Sequence, residues 1–350
     1  MVHRAFHDWL LRQWYGSRPI LVFIPLAGIF AVLTALRRWA YRLKIFKIVT
    51  LSVPVIVVGN ITIGGTGKTP FVIWLAQTLQ AQGYHPGIIT RGYGGESEHW
   101  PVSVTPASNP LLAGDEAVLL AQHAKLPVMA GPDRVRTAQR LQDEFQVDAI
   151  ISDDGLQHYS LGRAIEVIML DGSRGLGNGW LLPAGPLREP RRRLKRANLV
   201  ICKSPKSITL VPGVVMMDML LDNAISLADG SSMSLTELSG QKVHAIAGIG
   251  HPEQFFLALE ERGLHVDCRP LPDHVNPCKE DLMFEDSAPV LMTEKDAVKC
   301  SRFKLQNHWY VPVTAQFSDA DTMRILSCLR EHLPTATKPI TVIKEERSGC

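Results

Sequence analysis

The chain has 350 residues, of which 46% are hydrophobic and 20% are charged, with a formal net charge of +3. This length suffices to bury one large core or two modest ones. Positive charge is concentrated at one end, because residues 1–50 hold eight Lys or Arg against one acidic residue. The rest of the chain is therefore net negative, which argues against nucleic-acid binding by the chain as a whole.

An uncharged, apolar run spans residues 19–36, between Arg18 and the Arg37-Arg38 pair. Its length is close to the minimum for a membrane-spanning helix and is long for the apolar part of a signal peptide. Trp and Tyr residues on both sides suit a membrane interface. We predict that residues 1–50 form a membrane anchor with a basic collar, which either spans the bilayer or lies in one leaflet. The alternative is a helix buried in the protein core.

The stretch VIVVGNITIGGTGKT, residues 55–69, joins a β-branched run to a glycine-rich turn. The run is typical of a buried parallel strand, and the turn of a loop whose N–H groups converge on phosphate at the start of a helix. Its lysine would neutralise the β- and γ-phosphates, and its threonine hydroxyl would bind Mg²⁺. The predicted phosphate-binding residues are Thr62, Gly64, Gly65, Thr66, Gly67, Lys68 and Thr69. Thr62 stands where the strict motif has its first glycine, so an ordinary glycine-rich turn is the alternative.

Strand-like and helix-like patterns alternate after this loop, which predicts a mostly parallel sheet with helices on both faces. Composition shifts towards Ser, Asp and Gly between residues 222 and 238, where we place a domain boundary. The predicted organisation is an N-terminal membrane helix within 1–50, a phosphate-loop NTPase-type α/β core at 51–225, and a smaller α/β domain with a final helix at 226–350.

Four titratable residues, in three segments, are candidates for chemistry. An apolar strand ends at Asp153 and Asp154, where phosphate-loop NTPases hold Mg²⁺, although a helix cap with a solvated neighbour gives the same pattern. Asp115 opens a predicted helix, as either a cap or a catalytic group. His274 lies in a proline-rich loop, where it is either solvent-facing or catalytic.

The densest cationic run is REPRRRLKR, residues 188–196. It follows GNGWLLPAGPL, whose glycines and prolines indicate a shaped loop beside a ligand. Arginines here suit a phosphorylated acceptor or an anionic lipid surface, while the lack of interleaved aromatic residues disfavours nucleic acid. A solvated loop is the remaining alternative.

Together these segments resemble the tetraacyldisaccharide 4′-kinase family, the lipid A 4′-kinases of Gram-negative bacteria. The elements DDGxQH and PAGPLRE are specific to that family rather than to phosphate-loop proteins at large. The matching segments run in family order over roughly residues 50–300 and are VGNITIGGTGKTP, TRGYGG, GDEAVLLA, GPDRVRTA, SDDGLQHY, DGSRGLGNGWLLPAGPLREP, AIAGIGHPEQFF, LPDH and TEKDAVK.

The resemblance implies a kinase that uses ATP and Mg²⁺. It implies transfer of the γ-phosphate to the 4′-hydroxyl of a tetraacylated glucosamine disaccharide 1-phosphate, in lipid A biosynthesis, at the cytoplasmic face of the inner membrane. The expected partners are this lipid substrate and the lipid surface of the inner membrane. Neither nucleic acid nor an obligate protein partner is expected.

The resemblance also assigns roles to individual side chains. It implies that Asp115 and His274 form a base dyad, although Val275 stands where the family commonly has a second histidine. The metal ligands implied are Thr69, Asp153 and Asp154. The acceptor-binding residues implied are Arg188, Glu189 and Arg91.

Three other functions fit part of this pattern. A membrane-recruited regulatory ATPase of the deviant phosphate-loop type carries a lysine just before the glycine pair, where this chain has Ile63. A GTPase recognises guanine through N-K-x-D, whereas lysine and aspartate are adjacent in TEKD, residues 293–296. An anionic-lipid-binding module with a degenerate nucleotide site is disfavoured by the intact Lys68 and Thr69.

Overall fold

The computed structural model describes residues 9–203, 213–272, 277–300, 303 and 305–335. Their strands form two sheets with helices packed against them, which confirms the predicted α/β class. The helices are α1 (Ile24–Arg42), α2 (Lys68–Ala81), α3 (Pro110–Ala113), α4 (Asp115–Ala124), α5 (Arg134–Phe145), α6 (Pro252–Glu260), α7 (Glu294–Cys300) and α8 (Asp319–His332). The strands are β1 (Val55–Asn60), β2 (Pro86–Thr90), β3 (Val102–Val104), β4 (Val128–Ala130), β5 (Ala149–Ser152), β6 (Ile165–Asp171), β7 (Leu199–Lys203), β8 (Val215–Leu220), β9 (Asn223–Ser226), β10 (Ser232–Ser234), β11 (Lys242–Ala247), β12 (His265–Pro270), β13 (Val290–Thr293), β14 (His308–Val311) and β15 (Thr314–Gln316).

The first sheet has the strand order β15-β8-β7-β6-β1-β5-β2-β4-β3, with β1 parallel to both of its neighbours. Successive side chains of β1 enter opposite layers, because Ile56 belongs to the same core cluster as Phe71 of α2, while Val57 belongs to the same cluster as Leu141 of α5. Helices on both faces thus explain why the apolar run of β1 is uninterrupted.

Parallel strands place the loops that follow them at one edge of the sheet. Strands β1 and β2 are both parallel to β5, which lies between them. The loops after Asn60, Thr90 and Ser152 therefore leave the same edge of the sheet. These three loops are the glycine-rich loop, the TRGYGG segment and the DDG turn. Ligand sites in open α/β sheets lie at this carboxyl edge.

The second sheet has the order β10-β9-β14-β13-β11-β12. The chain enters it after β8 and later returns to the first sheet, where β15 pairs with β8. Helix α8 also joins the first core, through Ile325 and Leu329. The segment predicted as the smaller α/β domain, 226–350, therefore contributes strands to both sheets. The domain boundary after residue 225 stays a prediction.

Within the described residues, Leu21–Arg42 is the helical stretch that is long and apolar enough to cross a membrane, with a mean hydropathy of 1.8. Ala27 is the one buried residue of α1, while Ile29 and Leu33 are about three-fifths exposed. The alternative of a buried core helix is wrong, because a core helix buries most of its apolar side chains. An apolar helix with this exposure is evidence for membrane association.

Candidate active site

The glycine-rich loop joins β1 to the first turn of α2. Gly67 caps α2 with a φ of 76°, and a Cβ there would lie 3.1 Å from Cδ of Lys203. The left-handed backbone conformation favours glycine, and the nearby Lys203 side chain leaves little room for a Cβ. The side-chain amide of Asn60 donates to the backbone carbonyl of Gly64 at 3.1 Å. This hydrogen bond holds the loop curved over the end of β1.

A second segment, the PAGPLRE loop at residues 183–189, pairs directly with the glycine-rich loop. The N–H of Ile63 donates to the carbonyl of Pro186 at 2.9 Å, and the N–H of Arg188 donates to the carbonyl of Ile61 at 2.7 Å. Thr62 lies between them in an antiparallel bridge with Leu187. Thr62 does not have a positive φ, so its backbone does not require the glycine of the strict motif.

Lys68 and Arg188 approach Asp154 from two sides. Nζ of Lys68 lies 3.4 Å from Oδ1 of Asp154, and Nη1 of Arg188 lies 3.7 Å from Oδ2. Burial alone would raise the pKa of Asp154, but the two cations outweigh it and the pKa is lowered. Lys68 of the glycine-rich loop, Asp154 of the DDG turn and Arg188 of the PAGPLRE loop thus form one charged cluster.

Asp153, next along the chain, has a different environment. Burial and the Glu116 carboxylate raise its pKa to about 7, although Lys68 opposes them. Its Oδ2 accepts from the hydroxyl of Thr90 at 3.5 Å, while Oδ1 accepts no hydrogen bond from the described residues. Arg134 lies behind it and donates to the Asp153 carbonyl at 3.1 Å. A buried carboxylate oxygen without a partner is expected where a cation binds.

These residues fit Mg²⁺, which prefers oxygen ligands and commonly binds through one or two carboxylates together with substrate phosphates. The DDG turn supplies two carboxylates, and Thr69 lies in the first turn of α2. In the described part of the chain, no group of three or more His, Cys, Asp or Glu is placed to enclose a metal. The donors therefore suit a metal that also binds a nucleotide, rather than one enclosed by protein alone.

Asp115 and Glu116 open α4, and both face lysines of α7. Oδ2 of Asp115 lies 3.7 Å from Nζ of Lys299 and 3.9 Å from Nζ of Lys295, and Lys295 lies 3.2 Å from Glu116. Because Glu116 contributes to the raised pKa of Asp153, this helix start is electrostatically coupled to the DDG turn. The Asp115 carboxylate is buried and ion-paired in the first turn of α4, and the N-cap of this helix is Gly114.

The predicted acceptor residues have separate surroundings. Glu189 is buried and accepts from the hydroxyl of Tyr159 at 2.7 Å, with Arg193 at 3.2 Å and Arg38 of α1 at 3.7 Å. It therefore faces the N-terminal helix, whereas its neighbour Arg188 faces Asp154. Arg91 is exposed, and its charge helps to lower the pKa of Arg134, which places it near the DDG turn.

Comparison with known proteins identifies the arrangement. The family model for tetraacyldisaccharide-1-P 4′-kinase matches residues 20–330. The chain belongs to this family.

Two curated family members illustrate the extent of the match. The tetraacyldisaccharide 4′-kinase of Methylobacillus flagellatus is 48% identical over 93% of this chain and 97% of its own length. That of Nitrosococcus oceani is 46% identical over 93% and 96%. A solved structure of the Aquifex aeolicus LpxK in complex with ATP has a TM-score of 0.74 and 26% identity, and the match covers 89% of this chain and 99% of that one.

The second member of the family's expected dyad, His274, lies outside the described residues. The chain leads to it from the carboxyl end of β12, where the N–H of Leu271 donates to the carbonyl of Ala247 at 2.9 Å. The pairing of Asp115 with His274 stays a prediction.

Sequence reasoning assigned no role to several side chains that the fold brings to this edge. They are Thr90, Glu116, Arg134, Lys295 and Lys299. All five lie in the segments TRGYGG, GDEAVLLA, GPDRVRTA and TEKDAVK, in which the sequence resembles the kinase family, and that resemblance was the available signal. Their partners are distant in sequence, so no spacing rule pairs them.

Proposed function

We propose that this chain transfers the γ-phosphate of ATP to the 4′-hydroxyl of a tetraacylated glucosamine disaccharide 1-phosphate, a step of lipid A biosynthesis. The observation that carries the proposal is the direct pairing of the glycine-rich loop with the PAGPLRE loop, which brings Lys68 and Arg188 to one carboxylate, Asp154. A nucleotide loop and a cationic loop for a phosphorylated acceptor are then parts of one site.

Positioning and charge neutralisation dominate phosphoryl transfer. The loop N–H groups and Lys68 would bind the ATP phosphates, with Arg188 beside them. Thr69, Asp153 and Asp154 would hold Mg²⁺, which supplies further neutralisation of phosphate charge when bound. Asp115, assisted by His274, would accept the proton of the sugar hydroxyl.

The N-terminal anchor suits an acceptor with four acyl chains, because such a lipid stays in the bilayer. Two residues just before the apolar helix form hydrogen bonds with the PAGPLRE loop and the glycine-rich loop. The Trp14 indole donates to the carbonyl of Pro183 at 2.8 Å, and the Tyr15 hydroxyl donates to the carbonyl of Ile63 at 2.8 Å. We place the protein at the inner membrane with its catalytic part on the cytoplasmic face, where ATP is available.

An acceptor-dependent assay tests the reaction. Purified protein in detergent should move labelled phosphate from γ-labelled ATP to the lipid disaccharide 1-phosphate, and chelation of Mg²⁺ should stop the transfer. Hydrolysis of ATP at the same rate without lipid acceptor would favour a regulatory ATPase and contradict the kinase proposal.

A charge-insertion variant tests the anchor without touching the site. Ile29→Lys with Leu33→Lys should release the protein from anionic vesicles in sedimentation, because each charge is costly in hydrocarbon. Met323→Lys, which alters an equally exposed apolar residue on α8, is the matched control and should sediment normally. Continued sedimentation of the double variant would assign membrane binding to another surface.

A further inference from the structure

Helix α7 follows β13 of the second sheet. Its lysines nevertheless contact Asp115, at the start of a helix that packs against the first sheet. Lys299 is the more enclosed of the two, with 2% of its side chain exposed against 15% for Lys295. Its Nζ lies between two carboxylates, 3.7 Å from Asp115 and 3.4 Å from Asp296. A buried ammonium is tolerated only when it is paired, so these contacts keep both carboxylates close to Lys299.

Asp296 in turn fixes α7 to the second sheet. Its Oδ2 accepts from the hydroxyl of Thr293 at 2.6 Å and from the N–H of Gly248 at 2.8 Å. The side chain is almost fully buried, and buried charge-assisted hydrogen bonds of this kind hold their groups in one geometry. The ammonium of Lys299 is therefore held from the side of the second sheet.

The same contacts reach the segment that carries His274. A Cβ on Gly248 would lie 2.7 Å from Oδ1 of Asp296 and 3.4 Å from the carbonyl oxygen of Pro272, so glycine allows these groups to approach. Pro272 is two residues before His274 in sequence. Helix α7 is thus packed between Asp115 and the beginning of the LPDH loop.

We infer that Lys299 is a positioning residue for Asp115, holding its carboxylate in the orientation needed for proton acceptance and linking that orientation to the docking of the second sheet. The inference rests on the proposed function, in which Asp115 receives the proton of the acceptor. Lys299 acts through Asp115, and Lys295 supports the neighbouring Glu116 at 3.2 Å.

A double-mutant cycle tests this role. We expect Lys299→Met to lower kcat about 10- to 100-fold while the KM for ATP is unchanged, as for a misplaced catalytic group. The double variant Asp115→Asn with Lys299→Met should lose no more than Asp115→Asn alone, because a residue that acts through another adds nothing once that other is gone. Lys242→Met, in β11 of the second sheet, removes another ion-paired lysine and is the control; it should keep the kcat of the unmodified protein.

Two further measurements separate positioning from folding. Each variant is checked by circular dichroism and thermal melting, and Lys299→Arg, which keeps the charge, should retain more kcat than Lys299→Met. Equal losses in the Arg and Met variants, additive losses in the cycle, or a change in the KM for ATP alone would overturn the inference.

The outcomes also distinguish this inference from the reaction on which it rests. If the unmodified protein fails to phosphorylate the lipid acceptor, the proposed function is wrong. If it succeeds but Asp115→Asn keeps full kcat, the base assignment is wrong and the role of Lys299 is overturned with it, while the kinase proposal stands.

Discussion

Two acidic pairs meet at the carboxyl edge of the first sheet, the DDG pair (Asp153 and Asp154) and the GDE pair (Asp115 and Glu116). The cations around the DDG pair all come from elements attached to the first sheet. The lysines around the GDE pair come from α7, between β13 and β14 of the second sheet. The nucleotide side of the site is thus completed within one sheet, whereas the surroundings of the proposed base require both.

The two members of the DDG pair also differ from each other, although they are adjacent in sequence. Burial raises the pKa of Asp153 to about 7, while Lys68 and Arg188 overcome burial at Asp154 and lower its pKa. The two residues are of the same type, so the difference in pKa comes from the burial of each carboxylate and its position relative to the cations.

The largest effect should come from the nucleotide side. Lys68→Ala removes the cation that pairs with Asp154, and we expect kcat to fall by about 10² to 10³, the usual loss when a transition-state charge partner is removed. The measurement is initial-rate phosphate transfer at saturating ATP and lipid. Turnover equal to that of the unmodified protein would show that the Lys68 ammonium is dispensable. It would contradict the assignment of Lys68 to phosphate binding.

A smaller effect is expected on the Mg²⁺ requirement, which should depend on the two DDG carboxylates more than on the GDE pair. Asp153→Asn and Asp154→Asn should each raise the Mg²⁺ concentration for half-maximal rate by about 10-fold or more, because each loses an anionic oxygen ligand. Glu116→Gln is the control from the other pair, and its Mg²⁺ requirement should change less. An unchanged Mg²⁺ requirement in both Asp variants would contradict the metal assignment.

The smallest effect concerns the contact between α4 and α7. His123 of α4 pairs with Glu294 of α7, and this hydrogen bond raises the pKa of the imidazole above its ordinary value of 6.5. The pair therefore stabilises the fold fully below pH 6.5, and the stabilisation is lost as the pH rises through the raised pKa. His123→Gln should lower the melting temperature by about 2 °C or less at pH 6.

The difference between this variant and the unmodified protein should shrink as the pH rises through the raised pKa of His123. His265→Gln, on an exposed strand of the second sheet, is the control for loss of a histidine elsewhere. A destabilisation that is independent of pH would show that His123 contributes by packing rather than by charge.

Sequence patterns anticipated the elements of the first sheet because the constraints on them are local. A β-branched strand buried on both faces needs a continuous apolar run, and a loop that curves around phosphate needs glycine where φ is positive. Parallel order then places the carboxyl ends of β1, β2 and β5 together. The DDG pair and Lys68 therefore belonged to one predicted site before any contact was known.

Other features depend on partners far along the chain. Thr62, which departs from the strict phosphate-loop motif, pairs with Leu187, more than a hundred residues away, and its φ is not positive, so it needs no glycine. β15 and α8 pack with the first sheet although they lie about ninety residues or more after the composition change near residue 225. That change therefore does not predict their position.

By itself, the sequence determined the fold class, the kinase family and the residue types available to bind phosphate and metal. The tertiary structure alone decided which cation meets which carboxylate. Lys299 and Asp115 are 184 positions apart in the chain, and they meet because the second sheet docks α7 against α4. Periodicity and spacing describe near neighbours, whereas the electrostatics of a buried charge depend on whatever lies within a few ångströms of it.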